Sequence, residues 1–222
     1  MSIRSYFMAK FYDATMRQCE QACLGSWRSE LLQSAAGTVL EIGSGTGVNL
    51  PHYSDNVQRL ILVEPDKHMR HRLTARAKEP GNEHVEIASF GAESIDIEDE
   101  TIDCVVSTLV LCSVSDQAAS LSEIHRLLKP GGTLLLIEHV FAQQNPSVAR
   151  WQKLLSPLWR VMCCNCHLNR NTRQAVHQAG FDTVQVEDTQ MQEAPSVIKY
   201  AIKGVAHKQE RRDSPAGVQN PW

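Results

Sequence analysis

Nine residues, Val39-Leu40-Glu41-Ile42-Gly43-Ser44-Gly45-Thr46-Gly47, constrain this chain more than any other stretch. A short apolar run ends in a carboxylate and is followed by glycines at alternate positions. The run reads as a buried parallel strand, and the glycines allow a tight turn with close approach of a ligand to the main chain. A dinucleotide fingerprint, G-x-G-x-x-G, needs a third glycine where this chain has Val48. The spacing therefore points away from a nicotinamide dinucleotide.

The rest of the chain supplies the partners such a strand needs. Strands are expected at Val39–Ile42, Arg59–Val63, Val85–Ala88, Ile102–Ser107 and Thr133–Glu138. Helices are expected from about Asp66 to Lys78 and from Asp116 to Leu128, stopping at Pro80-Gly81 and Pro130-Gly131-Gly132. Such alternation predicts an α/β fold with helices on both faces of a mostly parallel sheet. Later come helices over Ser147–Val161 and Thr172–Ala179, then a strand pair at Thr183–Glu187 and Val197–Ile202, for seven strands in all. Residues 1–36 read as an amphipathic helical segment, broken near Gly25-Ser26, with Phe7, Phe11, Cys19, Cys23, Trp27 and Leu31 on its apolar rhythm. The division is an N-terminal helical lid at 1–36, one domain at 37–205 and a disordered polar tail at 206–222.

Bulk properties exclude several classes. With 222 residues and a formal net charge of −3, the chain lacks the basic footprint of a nucleic-acid binder. No apolar run approaches the ~20 residues of a membrane helix. The N-terminus has no apolar signal core, so a cytoplasmic location is expected. The seven cysteines are expected as reduced thiols.

Four more motifs follow the glycine loop in order. They are Glu64-Pro65-Asp66 at the end of the second strand, Gly91-Ala92-Glu93-Ser94 after the third, the stretch Glu98 to Ser107, and Leu127-Leu128-Lys129-Pro130-Gly131-Gly132 before the fifth. Together with E-x-G-x-G-x-G they resemble class I S-adenosylmethionine (SAM) methyltransferases, which implies a Rossmann-like sheet and SAM as cofactor, with S-adenosylhomocysteine as product. On that resemblance Glu41, Gly43, Ser44, Gly45 and Gly47 form the cofactor loop. Glu64 with Pro65 takes the ribose, Met69 packs on adenine, and Ala92 with Glu93 reads the adenine edge. Thr108 follows the fourth strand at the junction of cofactor and acceptor.

Methyl transfer from a sulfonium needs donor and acceptor held in line, and a thiol acceptor must also lose its proton. His139 follows the fifth strand, where ligands of open α/β sheets bind, and is the candidate to assist deprotonation, beside Thr108 as a second catalytic candidate. Cys163-x-x-Cys166-His167 looks partly like a metal-ligand motif, but a structural zinc site wants four ligands and a cleaner pair of spacings. No metal is expected; the thiols read as buried or pocket-lining.

Ser107 to Val114, Glu138-His139-Val140, Trp151…Pro157-Leu158-Trp159 and Cys166-His167-Leu168-Asn169-Arg170 resemble the thiol methyltransferases related to mammalian alkyl-thiol enzymes. That resemblance implies a small-molecule thiol acceptor and makes Cys112, Trp159, Cys166 and Arg170 acceptor-side candidates. His167 departs from the small polar residue expected there. The mammalian N-terminal hydrophobic anchor has no counterpart here. A second resemblance, carried by Gly43 to Tyr53 with Tyr12-Asp13, is to bacterial phosphatidylethanolamine N-methyltransferases. It leaves a lipid amine, or a quinone-type carbon, as the alternative acceptor and leaves peripheral membrane contact by the first helix open.

Overall fold

A computed structural model describes residues 3–82 and 84–209, with side chains from Ser5 onward. The order of elements is α1 (Ile3–Cys19), α2 (Gly25–Leu32), β1 (Gly37–Ile42), β2 (Val57–Val63), α3 (Lys67–Ala77), β3 (Val85–Ala88), β4 (Ile102–Thr108), α4 (Gln117–Leu127), β5 (Leu128–His139), α5 (Pro146–Met162), α6 (Thr172–Gln178), β6 (Phe181–Gln190) and β7 (Tyr200–Lys208).

The strands form one seven-stranded sheet in the order β3-β2-β1-β4-β5-β7-β6. The first five are parallel, and β7 runs antiparallel to both β5 and β6. Successive side chains of a strand point to opposite faces, and here both faces are covered. Leu40, Ile42, Val105 and Leu134 pack with Leu121, Ile124 and Leu127 of α4 and Val176 of α6. Val39, Leu60, Val106 and Leu135 pack instead with Leu32 of α2 and Leu73 of α3. The strand order reverses between β1 and β4, and a crevice at such a reversal is where open α/β sheets bind ligands.

Several boundaries differ from expectation. The N-terminal segment does not break at Gly25, whose φ of −59° is helical. A π-helical turn at Glu20–Leu24 links α1 to α2, and the Gly25 N–H donates to the Glu20 carbonyl. A Cβ at Gly25 would lie 2.9 Å from that carbonyl oxygen, so glycine marks the widened turn rather than a stop. Lys129-Pro130-Gly131-Gly132 does not form a separate turn; it lies inside β5. β7 begins later than expected and continues through Lys208, beyond the expected start of the tail. Its C-terminal end is held because Lys208 Nζ donates to the carbonyls of Leu128 (2.6 Å) and His125 (2.8 Å). The rest of the expected tail, residues 210–222, lies outside the described residues. The aromatic stripe of α1 is not core: Phe7 and Phe11 stack on each other but stay half exposed.

α5 is inverted relative to an ordinary surface helix. Trp151, Leu154, Leu158, Val161 and Met162 are exposed, while Gln152 and Ser156 are buried. Gln152 Oε1 accepts from Ala142 N at 2.8 Å, and its Nε2 donates to the carbonyls of Val140 (3.3 Å) and Val197 (2.9 Å). A buried amide with its hydrogen bonds filled is well tolerated, and here it stitches three segments together beside the end of β5. Among the described residues no helix is long and apolar enough to cross a membrane.

Candidate active site

The glycine loop occupies the carboxyl end of β1. Gly43, Gly45 and Gly47 have φ of 56°, 57° and 83°, in the left-handed region that favours glycine. Ser44 N donates to the Val63 carbonyl at 3.0 Å, and Ser44 Oγ to the Glu41 carbonyl at 3.2 Å. The two carboxylate oxygens of Glu64, at the end of β2, are shared between the loop and the next helix. One accepts from Gly45 N and the other from Asp66 N, each at 2.8 Å. Burial pushes the Glu64 carboxyl upward in pKa. Each oxygen retains a lone pair for a further donor. Asp66 caps α3 by accepting from His68 N and Met69 N, which places Met69 in the first turn. Pro65 is exposed.

Beneath the loop lies a buried polar network absent from the sequence reading. Glu41 accepts from Asn49 Nδ2 at 3.1 Å and from the Tyr53 hydroxyl at 2.6 Å. Arg28, 1 % exposed, donates to Asn49 Oδ1 at 2.6 Å, to Thr108 Oγ1 at 2.9 Å and to Glu20 at 2.9 Å. Asn49 Nδ2 also donates to Thr108 Oγ1, at 3.0 Å. Burial raises the Glu41 pKa to about 7 despite the donors from Tyr53 and Asn49. Thr108, expected as a catalytic candidate, thus has its hydroxyl oxygen engaged by Arg28 and Asn49. The N-terminal segment is fastened a second time through Asp13, which accepts from Thr46 Oγ1 at 2.7 Å and pairs with Arg72 and Arg76. The first helix is thus hydrogen-bonded to the glycine loop.

Ala92 is buried, and Glu93 Oε1 accepts from Ser115 N at 2.8 Å and Asp116 N at 3.3 Å. That carboxylate helps seat the start of α4.

The acceptor-side candidates converge at the ends of β4 and β5. Glu138 is fully buried and accepts from Ser107 Oγ (2.7 Å) and from the backbone N–H of Val110 (3.0 Å), Leu111 (3.1 Å) and Cys112 (3.3 Å). Burial holds its pKa up, near about 7, against those four donors. The clamp fixes the loop after β4, where Leu109 takes φ of 61°. Arg170 does not offer a free cation there: it donates to the carbonyls of Leu111 (2.7 Å) and Val114 (2.8 Å). Cys112, His139 and Cys166 come together, one potential ligand atom of each lying within 4.8 Å of the others. Both ring nitrogens of His139 and Trp159 Nε1 are buried and, among the described residues, make no hydrogen bond of ordinary geometry, although both side chains lie beside the Cys166 thiol. The Cys112 thiol, and then His139, pull the Cys166 pKa down to about 4, while Cys112 itself is pushed well up.

Sequence reasoning did not single out Arg28, Asn49, Tyr53 or Glu138 as site residues. Glu138 had a signal, being a carboxylate ending an apolar strand between Ile137 and His139. Arg28 had none, because Asn49 and Thr108, its partners at the site, lie far along the chain.

A reversed parallel sheet, a three-glycine loop at its switch point and an acidic residue closing the next strand define a class I SAM-dependent methyltransferase. The chain belongs to the family described as "Methyltransferase domain", which is matched over residues 12–186. It is 37% identical over 154 residues to thiol S-methyltransferase TMT1B of Rattus norvegicus, spanning 68% of this chain and 62% of that enzyme. It is 32% identical over 126 residues to a phosphatidylethanolamine N-methyltransferase of Cereibacter sphaeroides, spanning 56% of this chain and 61% of that one. The match thus covers under two thirds of either relative. A solved SAM-dependent methyltransferase of Thermotoga maritima, titled a possible histamine N-methyltransferase, shares the fold with TM-score 0.68 at 21% identity, covering 94% of this chain and 100% of that one. SAM is the methyl donor, as the sequence motifs implied.

Proposed function

We propose that this enzyme transfers the SAM methyl group to a small apolar thiol. The observation that carries the reading is the convergence of Cys112, His139 and Cys166 at the carboxyl ends of β4 and β5. Similarity to a thiol S-methyltransferase supports it. In this reading Gly43, Ser44, Gly45 and Gly47 carry the methionine end of SAM, with Glu41 supporting the loop from below. Glu64, beside Pro65, accepts from the ribose, Met69 packs on adenine, and Ala92 with Glu93 borders the adenine edge. Trp159 flanks the acceptor, and Arg170 acts through the loop that it holds.

The chemistry asks for in-line geometry and a thiolate. The acceptor S–H gives up its proton toward His139, whose ring nitrogens make no hydrogen bond of ordinary geometry among the described residues. The sulfur then attacks the methyl carbon, that carbon leaves the sulfonium, and a thioether and S-adenosylhomocysteine result. The test measures S-adenosylhomocysteine formed with alkyl and aryl thiols, beside phosphatidylethanolamine vesicles and a Gly45→Arg control. Thiol-dependent turnover that is lost in the control supports the reading. Turnover on vesicles alone overturns it.

One observation favours that second reading. From His139 to Phe181 the chain has no Asp or Glu but five Lys or Arg, so the remainder nets −8 against −3 for the whole. Within this stretch α5 exposes its apolar face, with Arg150, Lys153 and Arg160 on the same helix. An apolar face flanked by cations suits an anionic lipid surface. Binding of the full chain to anionic but not neutral vesicles, weakened by Leu158→Glu, would bring a lipid acceptor forward.

A further inference from the structure

The geometry points to a soft divalent cation site, of the zinc class, formed by Cys112 Sγ, His139 and Cys166 Sγ, with its fourth position open to the acceptor sulfur. The inference rests on the thiol reading above and replaces free His139 with a bound cation as the group that makes the thiolate.

Three independent segments bring the ligands together. Cys112 sits in the loop clamped by Glu138, His139 ends β5, and Cys166 closes the tight turn after α5. Their ligand atoms all lie within 4.8 Å of one another. In a tetrahedral zinc site with Zn–S near 2.3 Å and Zn–N near 2.0 Å, ligand atoms stand roughly 3.6 Å apart. From 4.8 Å, the cluster needs to contract by at most about 1.2 Å. His139 is 3 % exposed, and among the described residues neither of its nitrogens makes a hydrogen bond of ordinary geometry. A buried polar group normally has one.

Surrounding hydrogen bonds hold two of these segments against each other. His167 N donates to the Cys112 carbonyl at 2.8 Å. Asn165 Nδ2 donates to the Ser113 carbonyl at 2.9 Å, and Arg170 to those of Leu111 and Val114. Cross-bracing of this kind orients ligands and sharpens metal affinity. Two thiolates and an imidazole are a soft donor set that selects zinc-like ions over magnesium or calcium. Three protein ligands with one open position are the arrangement of catalytic rather than structural zinc.

The Cys163-x-x-Cys166 spacing does not form this site, because only Cys166 of that pair joins it. Cys163 is outside the cluster. Cys19 and Cys23 lie 3.9 Å apart in a separate apolar patch, where Cys23 Sγ accepts from Gln192 N.

The step balances without a redox partner. An acceptor R–SH takes the open position and its proton passes to bulk buffer, since a coordinating thiol is deprotonated outright. Its sulfur attacks the SAM methyl carbon, and the carbon–sulfonium bond breaks. The products are R–S–CH3, S-adenosylhomocysteine and one proton, with the cation unchanged.

The test titrates Co2+ into chelator-stripped full-length protein and reads thiolate-to-cobalt charge-transfer absorption. One ion per chain is expected, with the band shifting when a small alkyl thiol is added. Cys166→Ser and His139→Gln each weaken binding by about tenfold or more, while Cys163→Ser does not. S-adenosylhomocysteine binding by each variant reports an intact fold. Absence of a stoichiometric charge-transfer band in the wild-type protein overturns the site. Thiol methylation at an unchanged rate by stripped protein overturns its catalytic role while leaving the thiol reading intact. Stoichiometric cobalt with turnover only on lipid vesicles leaves a cation site but removes both the thiol reading and the step proposed here.

Discussion

Gly43 and Gly45 share nearly the same backbone conformation, with φ of 56° and 57°, yet alanine at the two positions should fail in different ways. Placing a side chain in the left-handed region costs about 1 kcal/mol at either site. At Gly43 the new Cβ would also stand 2.6 Å and 2.7 Å from the two γ-methyls of Val110, deep overlap with a β-branched side chain. Overpacking of that kind adds about 1–3 kcal/mol, so Gly43→Ala should lose about 2–4 kcal/mol of stability. At Gly45 the nearest heavy atom to the new Cβ is the Gly43 carbonyl oxygen at 3.9 Å. Gly45→Ala should therefore lose only about 1 kcal/mol. The open side of Gly45 is where the proposed cofactor approaches, so the same methyl should weaken S-adenosylhomocysteine binding by about tenfold, a cost near 1.4 kcal/mol. Urea unfolding of both variants, with calorimetric titration of S-adenosylhomocysteine, separates the effects. The reasoning is refuted if Gly45→Ala binds within about twofold of wild type, or if the two variants are equally stable.

The buried network gives three further expectations. Arg28→Met removes the cation shared by Glu20, Asn49 and Thr108, and breaking such a buried pair should cost about 3–5 kcal/mol in urea unfolding. A loss below about 1 kcal/mol would mean that the network is not what fastens the N-terminal helices. Glu41 has its pKa raised from 4.5 to about 7, so the folded protein holds this proton more tightly than the unfolded chain does. Its contribution is full below about pH 4.5 and is lost as pH rises toward about 7. Relative to wild type, Glu41→Gln should therefore gain about 2 kcal/mol in stability between roughly pH 5 and pH 8. A pH-independent difference would refute the shift. Asp13→Ala frees Thr46, Arg72 and Arg76 from the first helix. Those pairs are partly exposed, so stability should fall by about 1 kcal/mol or less, while stopped-flow release of S-adenosylhomocysteine should quicken several-fold. Unchanged release would detach the helix from cofactor retention.

What the sequence made legible was governed by short-range rules. The glycine loop, Glu64 at the end of β2 and the β3 strand from Val85 to Ala88 each follow from a local pattern of burial, turn residues and period. The misplacements occur where a tertiary partner overrode local preference. Lys203, Gly204, His207 and Lys208 do not read as strand, yet pairing with β5 on one side and β6 on the other makes them one. The Pro-Gly-Gly stretch ends a helix in sequence terms, but Leu128 pairs with Ile102 and the strand starts there. Gln152 and Ser156 look like the wet face of α5, but the carbonyls of Val140 and Val197 take the amide inward and turn the apolar side out.

The same division runs through the active site and explains its chemistry. The residues proposed for the cofactor side are local, because backbone N–H groups in one loop and one strand end can hold a ligand that brings its own reactive sulfonium. The residues proposed for the acceptor side would instead surround the methyl group from several directions. Cys112, His139 and Cys166 come from the ends of three different segments, and no spacing rule links residues 27 and then 27 positions apart. Glu138 connects the two regions. It terminates the same strand that carries His139, and it grips the loop that follows Thr108, whose hydroxyl reaches through Asn49 to Glu41 under the glycine turn. A shift of that loop would be felt by donor and acceptor together. In-line transfer tolerates little relative displacement of the two, so the burial of this carboxylate at the end of β5 fits a positioning role for the proposed site.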